Sequence, residues 1–172
     1  SEGEMDRIKI EDGIRIHEDT RVALNLYARN NKVAVVKPFV LVVAKDTQHA
    51  GELKTLISQF EGGRYANKVM EIHSNQRGSE KDENIEKLLS LESPDNEIEI
   101  VIHVNMLKEG WDVTNLYTII PLRTAASATL REQTIGRGLR LPYGRITGEA
   151  KVDKLTIVSH DRFQEIVDEA NK

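Results

Sequence analysis

From Phe39 onward, short unbroken apolar runs alternate with amphipathic stretches whose apolar residues recur every three or four positions. A strand covered on both faces needs no polar alternation, whereas the helix covering it is apolar along one stripe only. The rhythm therefore predicts repeated βα units around a mostly parallel sheet with helices on both faces. Phe39–Ala44 (FVLVVA) is the model central strand, its start set by Pro38. Asp46 or Thr47 can cap the helix that follows, in which Leu53, Leu56, Ile57 and Phe60 share a face before Gly62 and Gly63 end it. A second unit comprises a strand over 69–73, a polar loop over 74–82 and a helix carrying Ile85, Leu88, Leu89 and Leu91, followed by a turn at Ser93-Pro94-Asp95-Asn96. Further strands are expected over 98–104 and 116–120, the latter ended by Pro121. A helix over 127–139, a turn at Pro142-Tyr143-Gly144, a strand over 155–159 and a last helix over 161–170 complete the series.

The first 37 residues are less regular. Ile8, Ile10, Ile14 and Ile16 alternate with polar residues, which predicts one or two edge strands. Glu18-Asp19-Thr20 offers a cap for a leading helix whose stripe would be Val22, Ala23, Leu26 and Tyr27. The expected division is a leading segment over 1–37 packed on a core domain over 38–172, the two forming a single domain.

Composition narrows the classes. At 172 residues, 39% hydrophobic and 30% charged, the chain has the balance of a globular domain, not of a disordered segment. No apolar run approaches the roughly 18 residues that span a bilayer, and the acidic start lacks a secretory signal, so a cytoplasmic location without membrane contact is expected. Cysteine is absent, which excludes disulfides, thiolate metal sites and thiol nucleophiles. The formal net charge of -4 means that any nucleic-acid contact is local or shared with another domain. Histidines 17, 49, 73, 103 and 160 show no ligand spacing, and no metal site is expected.

The strongest chemical signal is Gln133-Thr134-Ile135-Gly136-Arg137-Gly138-Leu139-Arg140. On a helix, Gln133, Arg137 and Arg140 share a face. Gly136 and Gly138 each cost a helix about 1 kcal/mol relative to Ala, a cost tolerated where backbone must approach something closely. A guanidinium donates paired hydrogen bonds and keeps its charge at any working pH, which suits a multiply charged phosphate. The simpler reading of solvated charges at a helix end fits a lone Arg better than this joint pattern. A second segment, Val104-Asn105-Met106-Leu107-Lys108-Glu109-Gly110-Trp111-Asp112, stands directly after a predicted buried strand, where open α/β sheets bind ligands. Asp112 also suits a cap or turn, and Trp111 suits either base stacking or packing.

These two segments resemble motifs VI and V of superfamily-two helicases, and the chain is similar to the second RecA-like domain of that superfamily. The implied fold is α/β, a RecA-like three-layer domain with a mostly parallel central sheet flanked by helices. The resemblance implies that Arg140 is an arginine finger, with Arg137 its phosphate-side partner and Gln133 an orienting group. It also implies that Gly110, Asp112 and Gly136 lie near ATP with Mg2+, and that Asn105 and Lys108 lie closer to the nucleic-acid backbone. Lys45, at the position of motif IV, and Ser74, Asn75 and Arg77, in a strand-end loop, are weaker candidates for the same backbone contact. Such polar residues also furnish any exposed loop.

The sequence around 18–27, Lys37-Pro38-Phe39, Arg140-Leu141-Pro142, Val152-Asp153 and residues 155–158 and 163–166 is most similar to the restriction (Res) subunit of type III restriction–modification enzymes. This implies an ATP-dependent DNA translocase with a modification methyltransferase subunit as partner. Another superfamily-two DNA helicase, or a non-catalytic binding module of helicase-like fold, is the alternative. No G-x-x-x-x-G-K-[ST] loop occurs in the chain, so the phosphate loop and Mg2+ ligands are expected on a RecA-like domain N-terminal to it in a longer polypeptide. By itself the chain is expected to be inactive. Pro94-Asp95 and Glu149-Ala150-Lys151 do not make a nuclease site, since the first pair lies in a turn and the two straddle motif VI; any nuclease domain is expected elsewhere.

Overall fold

A computed structural model describes residues 2–73, 78–104, 113–123 and 141–158. Among them, five strands form one fully parallel sheet: β1 (Phe39–Ala44), β2 (Val69–Ile72), β3 (Ile100–Val104), β4 (Leu116–Pro121) and β5 (Thr156–Ile157), in the order β2-β3-β1-β4-β5. Central β1 is buried at all six positions, which explains its unbroken apolar sequence. Its even residues Val40, Val42 and Ala44 face a core shared with α1 (Glu2–Asn31) and α2 (Thr47–Gln59). Its odd residues Phe39, Leu41 and Val43 face a second core with Leu88 of α3 (Gly78–Leu89) and Leu91. These are the expected three layers.

Local signals act as anticipated in several places. Asp46 is the cap of α2, its carboxylate accepting from the His49 N–H at 2.8 Å. The helix ends in a 3-10 turn (Phe60–Gly62), and Gly62 and Gly63 adopt φ of +71° and +92°, a region open chiefly to glycine. The turns at 93–96 and 141–144 are closed by Asn96 N–H to Ser93 O and Gly144 N–H to Leu141 O. Between Phe39 and Val40 the register with β4 shifts, making Tyr117 an extra residue. Its ring turns toward Leu24, Tyr27 and Val152, and its hydroxyl donates to Val152 O at 2.7 Å. The helices expected over 127–139 and 161–170 lie outside the described residues.

The leading segment departs from expectation. It is one helix of 30 residues, with no edge strand, and Glu18-Asp19-Thr20 lies in its middle instead of capping it. The inward stripe is Ile10, Asp12, Gly13, Ile14, His17, Thr20, Leu24, Tyr27 and Ala28, while Val22 and Leu26 are exposed. Polar members of this stripe disguised its helical period: His17 bonds Glu99, and the Thr20 hydroxyl donates to Ile16 O. The helix closes where Lys32, at φ 54°, lets the Val33 N–H reach Ala28 O at 3.1 Å. A one-turn helix that the periodicity did not signal, α4 (Ala150–Asp153), packs on α1 through Val152.

The two helices of the first core predict opposite outcomes for one substitution. A Cβ on Gly13 of α1 would lie 2.2 Å from Ile120 Cδ1 and 2.6 Å from Cγ1, whereas one on Gly51 of α2 would meet nothing within 4 Å. Each Gly→Ala change gains up to about 1 kcal/mol of helix propensity. At Gly13, overpacking that costs about 1–3 kcal/mol outweighs it. Thermal denaturation is therefore expected to show Gly51→Ala stabilised and Gly13→Ala destabilised; a higher melting temperature for Gly13→Ala would refute the close crossing of α1 over β4.

Candidate functional site

A parallel sheet brings its strand exits to one edge, where open α/β sheets bind ligands. Ala44 at the end of β1 is registered with Val104 at the end of β3, and Ile72 of β2 with His103. On the other side Pro121 of β4 is registered with Val43, and the Leu122 N–H donates to Val43 O at 2.9 Å. Lys45, His73 and Arg123 follow β1, β2 and β4 at this edge. The chain runs from Val104 directly into the Asn105 to Asp112 segment.

Of the predicted site residues, Lys45 lies within the described residues, half-buried at the end of the central strand. Ser74, Asn75 and Arg77, then Asn105, Lys108, Gly110 and Asp112, and Gln133, Gly136, Arg137 and Arg140 lie outside them. Around Lys45 the geometry is built in detail. Its backbone N–H donates to His49 Nδ1 at 3.0 Å. Because an N–H can only donate, Nδ1 is the acceptor and Nε2 carries the proton, which it donates to Asp6 Oδ2 at 2.7 Å. His49 thus links the loop after β1 to the start of α1. The sequence carries no signal for this pairing, since the partners stand 43 positions apart.

Beside this loop, at the exits of β2 and β3, burial together with the neighbouring His73 pushes His103 down to about 3, so its imidazole is neutral at ordinary pH. The described part of this edge carries Lys45, Arg123 and a neutral imidazole, together with Asp6 and Asp46, which both accept hydrogen bonds from His49. Of these, the Lys45 and Arg123 cations fit the phosphates of a nucleotide or a nucleic acid.

The opposite edge does not. A groove of about 580 Å³ there is lined by Glu83, Glu86, Asp95 and Glu97, with Lys87 the single cation among the described residues that line it, a surface that repels polyanions. Nearby, His17, Glu18 and Glu99 bring potential ligand atoms within 4.8 Å of one another. Their carboxylates are already committed to cations: Glu99 to Lys68 at 2.9 Å, and Glu18 to Arg64 at 2.8 Å and to Arg21. Burial alone would raise Glu99, but the hydrogen bonds from His17 and Lys68 hold it at about 2. Burial would likewise raise Glu18, and the Tyr65 hydroxyl and Arg21 hold it below its ordinary value. The cluster is an ion network fastening α1 to the sheet.

Comparison with known proteins gives a family and relatives. Residues 23–142 match the family model described as helicase conserved C-terminal domain. The chain is 32% identical over 129 residues to the type III restriction-modification enzyme EcoPI Res subunit of Escherichia phage P1, covering 69% of this chain and 12% of that protein. It is 32% identical over 111 residues to the EcoP15I Res subunit of Escherichia coli, covering 60% of this chain and 10% of that protein. The chain thus spans about a tenth of the length of these relatives. A solved C-terminal domain of the DEAD-box protein Dbp5 aligns over 85% of this chain and 78% of its own, at 14% identity and a TM-score of 0.42. Among the described residues no helix is long and apolar enough to cross a membrane, charge ruling out even 30-residue α1.

Proposed function

Because the chain belongs to the family of helicase conserved C-terminal domains, we propose that it is the second motor domain of an ATP-dependent DNA translocase acting in the cytoplasm as part of a type III restriction subunit. The observation that carries this reading is the carboxyl edge of the sheet, where Lys45 follows the central strand and the Asn105 to Asp112 segment follows the strand paired with it. The similarity to Res subunits supports the choice of DNA as track and of a modification methyltransferase subunit as partner.

In this reading ATP with Mg2+, held mainly by an N-terminal RecA-like domain of the same polypeptide, supplies the phosphoryl group transferred to water. Arg140 and Arg137 offer guanidiniums to the charge that develops there, Gln133 orients them, and Gly110, Asp112 and Gly136 border the nucleotide. Lys45, Asn105 and Lys108, with Ser74, Asn75 and Arg77, hold the DNA backbone, which gives affinity without sequence preference.

The track contact is tested at Lys45. In the full-length protein, Lys45→Ala is expected to raise the DNA concentration that half-saturates ATP hydrolysis by about threefold to tenfold, and to lower the slope of log affinity against log salt by about 1. An unchanged salt slope and half-saturation would remove Lys45 from the DNA contact.

A further inference from the structure

The β1–α2 loop is braced from outside the span that matches the family. His49 stands at the third position of α2, where a side chain can reach back to the preceding backbone. Its own N–H is capped by Asp46 at 2.8 Å, its Nδ1 accepts the Lys45 N–H at 3.0 Å, and its Nε2–H is accepted by Asp6 at 2.7 Å. His49 is 8% exposed, so the ring works in a poorly solvated place where these bonds meet little competition from water. Asp6 lies in the first two turns of α1, and the family match begins only at residue 23. Three groups from two elements thereby fix the backbone of Lys45.

We infer that His49 and Asp6 are positioning residues for DNA binding, holding the loop after β1 so that the Lys45 side chain is presented in one direction, and that the N-terminal part of α1 is therefore a working part of the motor domain. This rests on the reading of Lys45 as a DNA contact. A side chain at a strand exit is directed by the backbone that bears it. With the His49 link cut, the Lys45 N–H loses its acceptor and the loop is free to turn its cation away from the track. Loss of pre-organisation of this kind weakens binding more than turnover, because DNA at saturation still selects the competent arrangement.

The test uses the full-length protein with duplex DNA and ATP. Asp6→Ala and His49→Phe are each expected to raise the half-saturating DNA concentration by about fivefold, the size of one lost hydrogen bond, with a smaller change in kcat at saturating DNA. Asp6→Asn, which keeps a carbonyl oxygen for the Nε2–H, is expected to restore binding toward the unsubstituted value. In a Lys45→Ala background, Asp6→Ala is expected to add nothing, which a general loss of stability would not produce. If His49→Phe fails to fold, Asp6→Ala carries the test alone. If Lys45→Ala weakens DNA binding while Asp6→Ala does not, or if the two effects add fully, the positioning role is overturned and the DNA contact stands. If Lys45→Ala itself has no effect, both fall.

Discussion

Arg140→Ala in the full-length protein is expected to lower DNA-stimulated ATP hydrolysis by about a thousandfold or more, while changing DNA half-saturation far less. Charge that accumulates on a transferred phosphoryl group is stabilised by a cation already in place, and removal of that cation is felt in the transition state rather than in the ground state. Arg140→Lys should not rescue turnover, because an ammonium on a flexible stem lacks the planar fork. The purified 172-residue chain is the natural control. With no phosphate loop in its sequence, it is expected to show negligible hydrolysis. Near-normal turnover by Arg140→Ala would sink the arginine-finger role, and robust hydrolysis by the chain alone would sink the half-site reading.

Acidification below pH 6.5 is expected to destabilise the domain by up to about 1.4 kcal/mol per pH unit, with His103 as the principal cause. Its ordinary value is 6.5 and burial beside His73 brings it to about 3. A base depressed in the folded state is neutral there, while the unfolded chain takes up the proton first. Its contribution is thus fully present above pH 6.5 and is lost progressively as pH falls toward 3. Glu99 adds a separate window: a carboxyl lowered from 4.5 to about 2 contributes above 4.5 and loses that contribution as pH falls toward 2. Chemical denaturation at pH 7 and pH 5 distinguishes the two. His103→Leu should flatten the difference between these conditions, and Glu99→Gln should leave it in place while lowering stability at both. If His103→Leu is as acid-sensitive as the parent, the assignment is wrong.

The strands were legible because burial on both faces writes itself into local sequence as β-branched apolar runs. The sequence places β1 at residues 39–44, as found, and β3 and β4 are each found within two residues of the spans it predicts. Segment 155–159 was only partly so, since it shortens to Thr156–Ile157 at the sheet edge, where fewer neighbours select for apolar side chains. Segment 1–37 misled because three of its inward positions, Asp12, His17 and Thr20, are polar, so the apolar residues alone trace a false alternation.

By itself, the amino-acid order determined the parallel α/β architecture, a cap for α2 at Asp46 or Thr47, and the motif pair that marks a helicase domain, since all three rest on local patterns. Tertiary structure decided which stripe of α1 turns inward, that His17 meets Glu99 across 82 positions, and that Asp6 reaches His49 beside Lys45. A buried polar group is stable only where a partner satisfies it. When that partner comes from a distant part of the chain, nothing in the local sequence records which one it will be.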